Sequence, residues 1–354
     1  MKRTIAPWLG ALGATLALAL PAAAATAAKA PACDRACLES FADRYMVALG
    51  KHDTRGLPWA SFVKFTENNV ALEIGDGAWG TVTEVLGGPT VLKVADPKTG
   101  NVAWWGAIRE RDTESTYAMR MKVVGGKIAE VETTIARKIN TGGGFNVDVS
   151  KLRHDPLWTE AVPAAKRMTR EKLITYADGY FSTLELNDGV LRTDFSADCA
   201  RMENGFMTAG NPDPKSGNSH NNCGDQFKTG SFHMDDRLRD RRYFLVDEER
   251  GIVMSAAYID HAAYQTEITL ANGTKRPAGI KAPHVWCLLE MFKVKDGKLA
   301  RVEANFVAVP YRMPSPWVLD GNPTSHRLED YPLPRDRVGR AMKTSAKTGK
   351  GGAK

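Results

Sequence analysis

Two apolar, β-branched runs, Val285 to Val294 and Leu299 to Val309, stand on either side of Asp296-Gly297. Asp-Gly readily takes the positive φ angles of a two-residue turn, so the runs read as one long β-hairpin. A weaker copy lies upstream, where Lys127-Ile128-Ala129-Glu130-Val131-Glu132 matches Lys298-Leu299-Ala300-Arg301-Val302-Glu303 and Gly125-Gly126 occupies the turn. Other segments repeat in the same order. Leu173 to Tyr180 answers Leu38 to Tyr45, Glu203-Asn204 answers Glu67-Asn68, and Ile252 to His261 stands where Val102 to Arg111 stood. A pattern that recurs in one order and with close spacing implies a duplicated chain. The second copy is longer, mainly through the polar loops Gly210 to Gly230 and Gln265 to Pro283.

The ends differ from this body. Met1-Lys2-Arg3, an apolar run to Leu20, Pro21 and a string of alanines have the three regions of a secretory signal peptide, with cleavage after Ala24 or Ala27. A formal charge of +7 hints at nucleic acid, but two of its cations sit in the signal and four more are Lys343, Lys347, Lys350 and Lys354, which leaves +1 on the body. No nucleic-acid partner is expected from so even a balance, and no segment after the signal is apolar enough to span a membrane. The chain reads as periplasmic or secreted. Five cysteines in an exported chain favour disulfides with one thiol left over. Cys199 and Cys223 flank a polar loop and are paired; Cys33 with Cys37 closes a small ring; Cys287, inside a core strand, reads as a buried free thiol.

The expected organisation is a signal peptide over 1–27, a first domain over 33–140, a connecting segment over 141–168, a second domain over 169–313, a Pro-rich strap over 314–340 anchored by Trp317, and a disordered basic tail over 341–354. Each domain reads as a long helix, a short strand ending in Glu-Asn, then long antiparallel strands. The fold class is α+β, two tandem cones of curved sheet plus helix, each with a pocket at its open end. The helix Phe41 to Asp53 and the Gly-Lys-x-x-x-Val-Glu hairpins resemble the nuclear transport factor 2-like superfamily, which includes SnoaL-like cyclases and ketosteroid isomerase. The blocks Arg239 to Tyr243, Val246 to Gly251 and Pro310 to Trp317 further resemble an exported double-cone family of unknown role. The resemblance implies a tyrosine on the first helix, matched by Tyr45 and Tyr180, and a carboxylate on the following strand, near Glu67 and Glu203.

Alternation along the strands adds candidates from the residues themselves. Tyr258 and Asp260 share one face of the strand ending at His261, whose own side chain points to the other face; His284, Trp286 and Glu290 share a face of the next strand. The expected catalytic set is Glu203, His261, Tyr180, His284 and Asp260, with Trp286, Tyr258, Asn204 and Glu290 binding substrate. Tyr45, Glu67, Trp104 and Trp105 form a second candidate site in the first cone. In this scheme Glu203 or His261 removes a proton, and Tyr180 and His284 stabilise the resulting charge. The substrate would be a small apolar or aromatic molecule and the reaction an elimination or isomerisation. Formaldehyde-releasing lyases acting on lignin-derived diaryl compounds are the precedent that the resemblance supplies. No cofactor or metal is expected, since His220, Cys223 and His233 match no strong zinc spacing. A non-catalytic ligand- or partner-binding protein is the alternative, and a homo-oligomer is compatible with either reading.

Overall fold

The computed structural model describes residues 33–141, 147 and 149–317. The signal peptide, Gly142-Gly143-Gly144, the strap beyond Trp317 and the basic tail lie outside the described residues. Helix α1 (Arg35–Gly50) starts at Asp34, whose carboxylate caps the Cys37 amide at 2.9 Å, and buries Leu38, Phe41, Ala42, Tyr45 and Leu49 along one stripe. The first sheet comprises β1 (Trp59–Glu67), β2 (Val70–Ala71), β3 (Val82–Leu86), β4 (Leu92–Asp96), β5 (Asn101–Glu110), β6 (Thr113–Val124) and β7 (Lys127–Ala136). Helix α2 (Arg170–Leu186) is capped by Thr169 and buries Leu173, Ala177, Tyr180, Phe181 and Leu184. After it come β8 (Phe195–Glu203), β9 (Phe206–Ala209), the short helix α3 (Cys223–Lys228), β10 (Arg237–Asp247) and β11 (Ile252–His261). A two-stranded ribbon, β12 (Glu267–Thr269) with β13 (Lys275–Pro277), precedes the hairpin β14 (His284–Lys295) and β15 (Lys298–Pro310).

The two large sheets have the same strand order. The first runs β2-β1-β7-β6-β5-β3, with β4 also on β5; the second runs β9-β8-β15-β14-β11-β10. In each, the last strand returns to lie parallel to the first and every other pairing is antiparallel. The expected turns are present, with positive φ at both central residues: Asp296 and Gly297 at 49° and 75°, Gly125 and Gly126 at 56° and 74°. The Glu-Asn pairs end β1 and β8. Asn68 and Asn204 take left-handed backbone, φ 48° and 50°, and their side-chain amides bond both the N–H and the carbonyl of one residue on the parallel neighbour. Asn68 Oδ1 accepts from Ile135 N at 2.7 Å, and Asn204 Oδ1 accepts from Phe306 N at 2.9 Å while its Nδ2 donates to the Phe306 carbonyl. Asn204, expected to bind substrate, is therefore committed to the sheet.

Each helix covers one face of its sheet, and the opposite faces of the two sheets pack against each other. Trp105, Leu92 and Ala118 of the first meet Leu245, Met254 and Met291 of the second, with fully buried Trp158 between them. Farther along, Ala107 and Ala136 join Tyr258, Cys287 and Val307. The segment joining the sheets is thus part of the core. His154 hydrogen-bonds Glu303 at 2.8 Å, and Lys293 Nζ donates to the Glu160 and Arg250 carbonyls at 2.8 and 2.5 Å.

β3 and β4 are five-residue strands among Gly and Pro and carry little periodicity. Arg237 to Arg242 form half of β10, the edge strand of its sheet, where Arg239 pairs with Asp240. Arg237 and Arg239 grip Asp260 at 2.5 and 3.1 Å, Arg241 binds Asp178 and Glu185, and Arg242 crosses to Glu132 of the first sheet. Glu303 pairs with His154, and its strand neighbour Arg301 pairs with Asp155 and Asp198. Both disulfides, Cys33–Cys37 and Cys199–Cys223, are present, and Cys287 is free and buried. Among the described residues no helix is long and apolar enough to cross a membrane.

Trp158→Ala should cost about 3–5 kcal/mol in denaturant unfolding, because it empties a fully buried indole site between two sheets. A loss under about 1 kcal/mol would mean that the sheets close over the gap. Burial alone disfavours a charged His154, but the adjacent Glu303 carboxylate outweighs it and raises the imidazole pKa above 6.5. That contribution is complete below the ordinary imidazole value and is lost as pH rises through the folded one. The stability gap between the native protein and His154→Gln should therefore shrink as pH rises from below the ordinary imidazole value through the raised one.

Candidate functional site

The face of the second sheet under α2 is organised in rows, since aligned residues on neighbouring strands point the same way. Glu203 of β8 pairs with Ala304 of β15, and Ala304 pairs with Glu290 of β14. Two carboxyl groups thus flank one methyl side chain, their Cα atoms about two strand spacings, ~10 Å, apart. Beyond this row come Leu288 with Phe306, then Ile259 with Trp286, then His261 with His284 at the strand ends. The carboxyl row and the aromatic rows enclose a cavity of about 50 Å³, closed on its remaining side by Leu184, Phe232 and Met234.

Its polar end is built around Arg201, which is fully buried. Alternation puts Arg201 on the face of Glu203, whose Oε1 lies 3.5 Å from its Nε. Arg201 also donates to Thr208 Oγ1 at 3.0 Å, to the Tyr180 hydroxyl at 3.1 Å and to Gln226 Oε1, and its guanidinium lies over Phe232 and Phe227. Gln226 and Phe227 belong to α3, which the Cys199–Cys223 disulfide ties to β8. Burial opposes the charge on Arg201, but Glu203, Tyr180 and Glu290 together raise its pKa, so it remains a cation. Burial and the nearby Glu203 carboxylate push Glu290 up to about 8, against the pull of Arg201 and a hydrogen bond from Tyr180. Glu290 is therefore a neutral carboxylic acid at pH 7. Burial also raises the Tyr180 pKa, so that the phenol keeps its proton among Phe181, Phe227 and Phe292.

The predicted residues fall into three groups. Tyr180, Glu203, Glu290 and Trp286 line one cavity. His261 and His284 stack at 4.8 Å at the strand ends, where His261 Nε2 meets Asp235 at 2.9 Å and its ring abuts Trp286 at 4.4 Å. Six residues separate His284 from Glu290 along β14, ~20 Å of extended strand, so the histidines and the carboxyl pair do not act on one atom. Tyr258 and Asp260 point the opposite way, between the sheets: the Tyr258 hydroxyl donates to Asn69 Oδ1 at 2.5 Å, and Asp260 is held by Arg237 and Arg239. Asn204 is bound to the Phe306 peptide.

The second candidate site is filled. Tyr45 packs edge-on against Trp79 at 5.2 Å, and Trp104 against Tyr117 at 5.8 Å. Glu67 accepts from the Ala78 amide at 2.8 Å and from Arg137 at 3.1 Å. Trp105 faces the other sheet. The row Glu67–Thr133–Met119–Trp104 matches Glu203–Ala304–Glu290–Ser255 position by position, and Phe65 holds the register of Arg201. Sequence reasoning passed over Arg201 and Asp235. The signal for Arg201 was available in Arg201-x-Glu203, a charge pair on one face of a strand.

The chain is an α+β protein in which a helix covers one face of each of two large curved sheets. A family model described as a domain of unknown function, DUF8021, matches residues 166–306. No curated protein matches. Solved structures similar to part of the chain include an NTF2-like protein from Cytophaga hutchinsonii, with TM-score 0.24 and 11% identity over 40% of this chain and 100% of that one. AusH from Aspergillus nidulans is similar with TM-score 0.25 and 13% identity over 39% and 85%. AclR from Streptomyces galilaeus is similar with TM-score 0.26 and 13% identity over 39% and 90%.

A buried acid with a raised pKa stabilises the folded chain while it is protonated. That contribution is full below the ordinary carboxyl value of 4.5 and fades as pH climbs through about 8. Glu290→Gln, neutral throughout, should gain stability relative to the native chain between about pH 5 and about pH 9 in denaturant titrations. A constant difference across that range would remove the neutral acid from the site.

Proposed function

We propose that this chain is an exported, cofactor-independent acid–base enzyme, a lyase or isomerase acting on a small apolar or aromatic molecule. In this reading it is a duplicated pair of nuclear transport factor 2-like cones, of which the second works and the first is structural. The observation that carries the proposal is the row Glu203–Ala304–Glu290 beside Arg201, two carboxyl groups facing one cavity, of which burial pushes Glu290 up to about 8. A protonated acid one small residue away from a second carboxyl group is an arrangement suited to proton transfer. Glu203 takes a proton from carbon next to a carbonyl or a leaving group. Glu290 donates a hydrogen bond to the oxygen on which charge develops, while Tyr180 and Arg201 hold both carboxyls in place. Trp286, Leu288 and Phe306 favour an apolar, flat body for the substrate. The small volume of the cavity requires Phe232 and Met234 to move as a substrate enters; a closed cavity equally suits a protein that binds a ligand without turning it over.

The test is incubation of the purified protein in D2O with a panel of aryl ketones and hydroxymethyl-bearing diaryl compounds, read by deuterium uptake, formaldehyde release and product mass. Turnover should fall about 100- to 1000-fold in Glu203→Gln and change little in Glu67→Gln. Turnover that survives in Glu203→Gln would move the chemistry elsewhere, and saturable ligand binding without exchange or product would establish the binding protein instead.

A further inference from the structure

Arg201 carries a fork of N–H groups, and where they go decides what the neighbouring Glu203 receives. The Nε–H goes to Thr208 Oγ1 at 3.0 Å, an Nη1 hydrogen to the Tyr180 hydroxyl at 3.1 Å and an Nη2 hydrogen to Gln226 Oε1. Glu203 Oε1 lies 3.5 Å from Nε, within ion-pair range, yet the single hydrogen on that nitrogen is aimed at Thr208. Glu203 therefore feels the charge of the guanidinium without accepting its hydrogen. Its counterpart in the first sheet is held differently. Glu67 accepts directly from Arg137 at 3.1 Å and from the Ala78 amide at 2.8 Å.

The fold supplies Thr208 through an irregularity. On β9, Ala209 stands opposite Arg201 and Met207 opposite Met202, which leaves Thr208 as the extra residue of a β-bulge. A bulge re-aims a side chain out of the regular alternation, and here the hydroxyl meets the guanidinium. Gln226 closes the ring: its Nε2 donates to the Thr208 carbonyl at 2.5 Å, which turns its Oε1 toward Arg201. The Cys199–Cys223 disulfide ties the start of α3, and with it Gln226, to β8. In the first sheet β2 pairs Thr66 with Ala71 and Glu67 with Val70 in unbroken register.

We propose that Thr208 is a positioning residue of the Glu203 cavity: by taking the Arg201 Nε–H it keeps the Glu203 carboxyl free of that hydrogen bond and able to accept a proton. This rests on the acid–base reading of the cavity. A carboxylate bonded to a guanidinium is held in its charged form and is a poorer base. Without the Thr208 hydroxyl, the Nε–H has Glu203 Oε1 at 3.5 Å to turn to.

The experiment compares Thr208→Val, which removes the hydroxyl at nearly constant volume, with Thr208→Ser, which restores it. In the nitrogen-15-labelled full chain the Arg201 Nε–H resonance should move downfield in Thr208→Val and return in Thr208→Ser. It should also respond to Glu203→Gln far more in the Thr208→Val background than in the native one. With the substrate panel, kcat should fall about tenfold in Thr208→Val while KM changes less than about twofold, and Thr208→Ser should keep at least about half of the native kcat. A packing role alone would lower the melting temperature of Thr208→Val and leave the resonance no more sensitive to Glu203. The proposal is overturned by that insensitivity, or by an undiminished kcat in Thr208→Val when the native chain is active. Should Thr208→Val not fold, Thr208→Ala bears the same tests. A native chain that turns nothing over sinks the acid–base reading, and the resonance then decides alone whether Thr208 keeps the Nε–H from Glu203.

Discussion

A strand without an exposed residue has to be covered on both faces, and β11 has all ten of its residues buried. Its neighbour in the hairpin, β14, is buried at every position except its two ends. A helix accounts for one side, and nothing in a single sheet-plus-helix unit accounts for the other. The second sheet fills that role, with Trp105, Trp158, Met254 and Met291 in the seam. Apolar area removed from water is the dominant favourable term in folding, so this seam fixes how the halves stand and which faces are left for chemistry.

The same constraint explains which parts of the structure sequence patterns reveal. The hairpin at Asp296-Gly297, the copy at Gly125-Gly126, both long helices and both disulfides are legible because turn chemistry and local spacing specify them. Orientation is not. Along β11 the alternation separates Tyr258 and Asp260 from His261, but a strand that is apolar on both sides does not indicate which side holds the pocket. Tyr258 and Asp260 therefore read as site residues while lying in the seam. The Glu-Asn pairs show a similar ambiguity. Glu203 lines the cavity, whereas Asn68 and Asn204 perform one backbone task in both sheets.

Glu290 illustrates how position rather than residue type decides whether a carboxyl group keeps its proton. On a solvated strand it would be an ordinary carboxylate. Under Tyr180, one small residue from Glu203 and deprived of water, it keeps its proton at neutral pH. Ala304 matters as much as either acid: Thr133 occupies its register in the first sheet, beside Met119, and there the row is packed shut. The long loops of the second half support the arrangement, because α3 brings Gln226 and Phe227 against Arg201.

Two sheets of one strand order meeting within a single chain escape a restriction that binds symmetric dimers. In a dimer of identical subunits each substitution arrives twice, and an interior guanidinium must be desolvated in both copies. Here Arg201 occupies one register and Phe65 its counterpart, so the desolvation penalty at that register falls on one half only. Covalent linkage thereby lets two similar sheets carry different residues at matching positions.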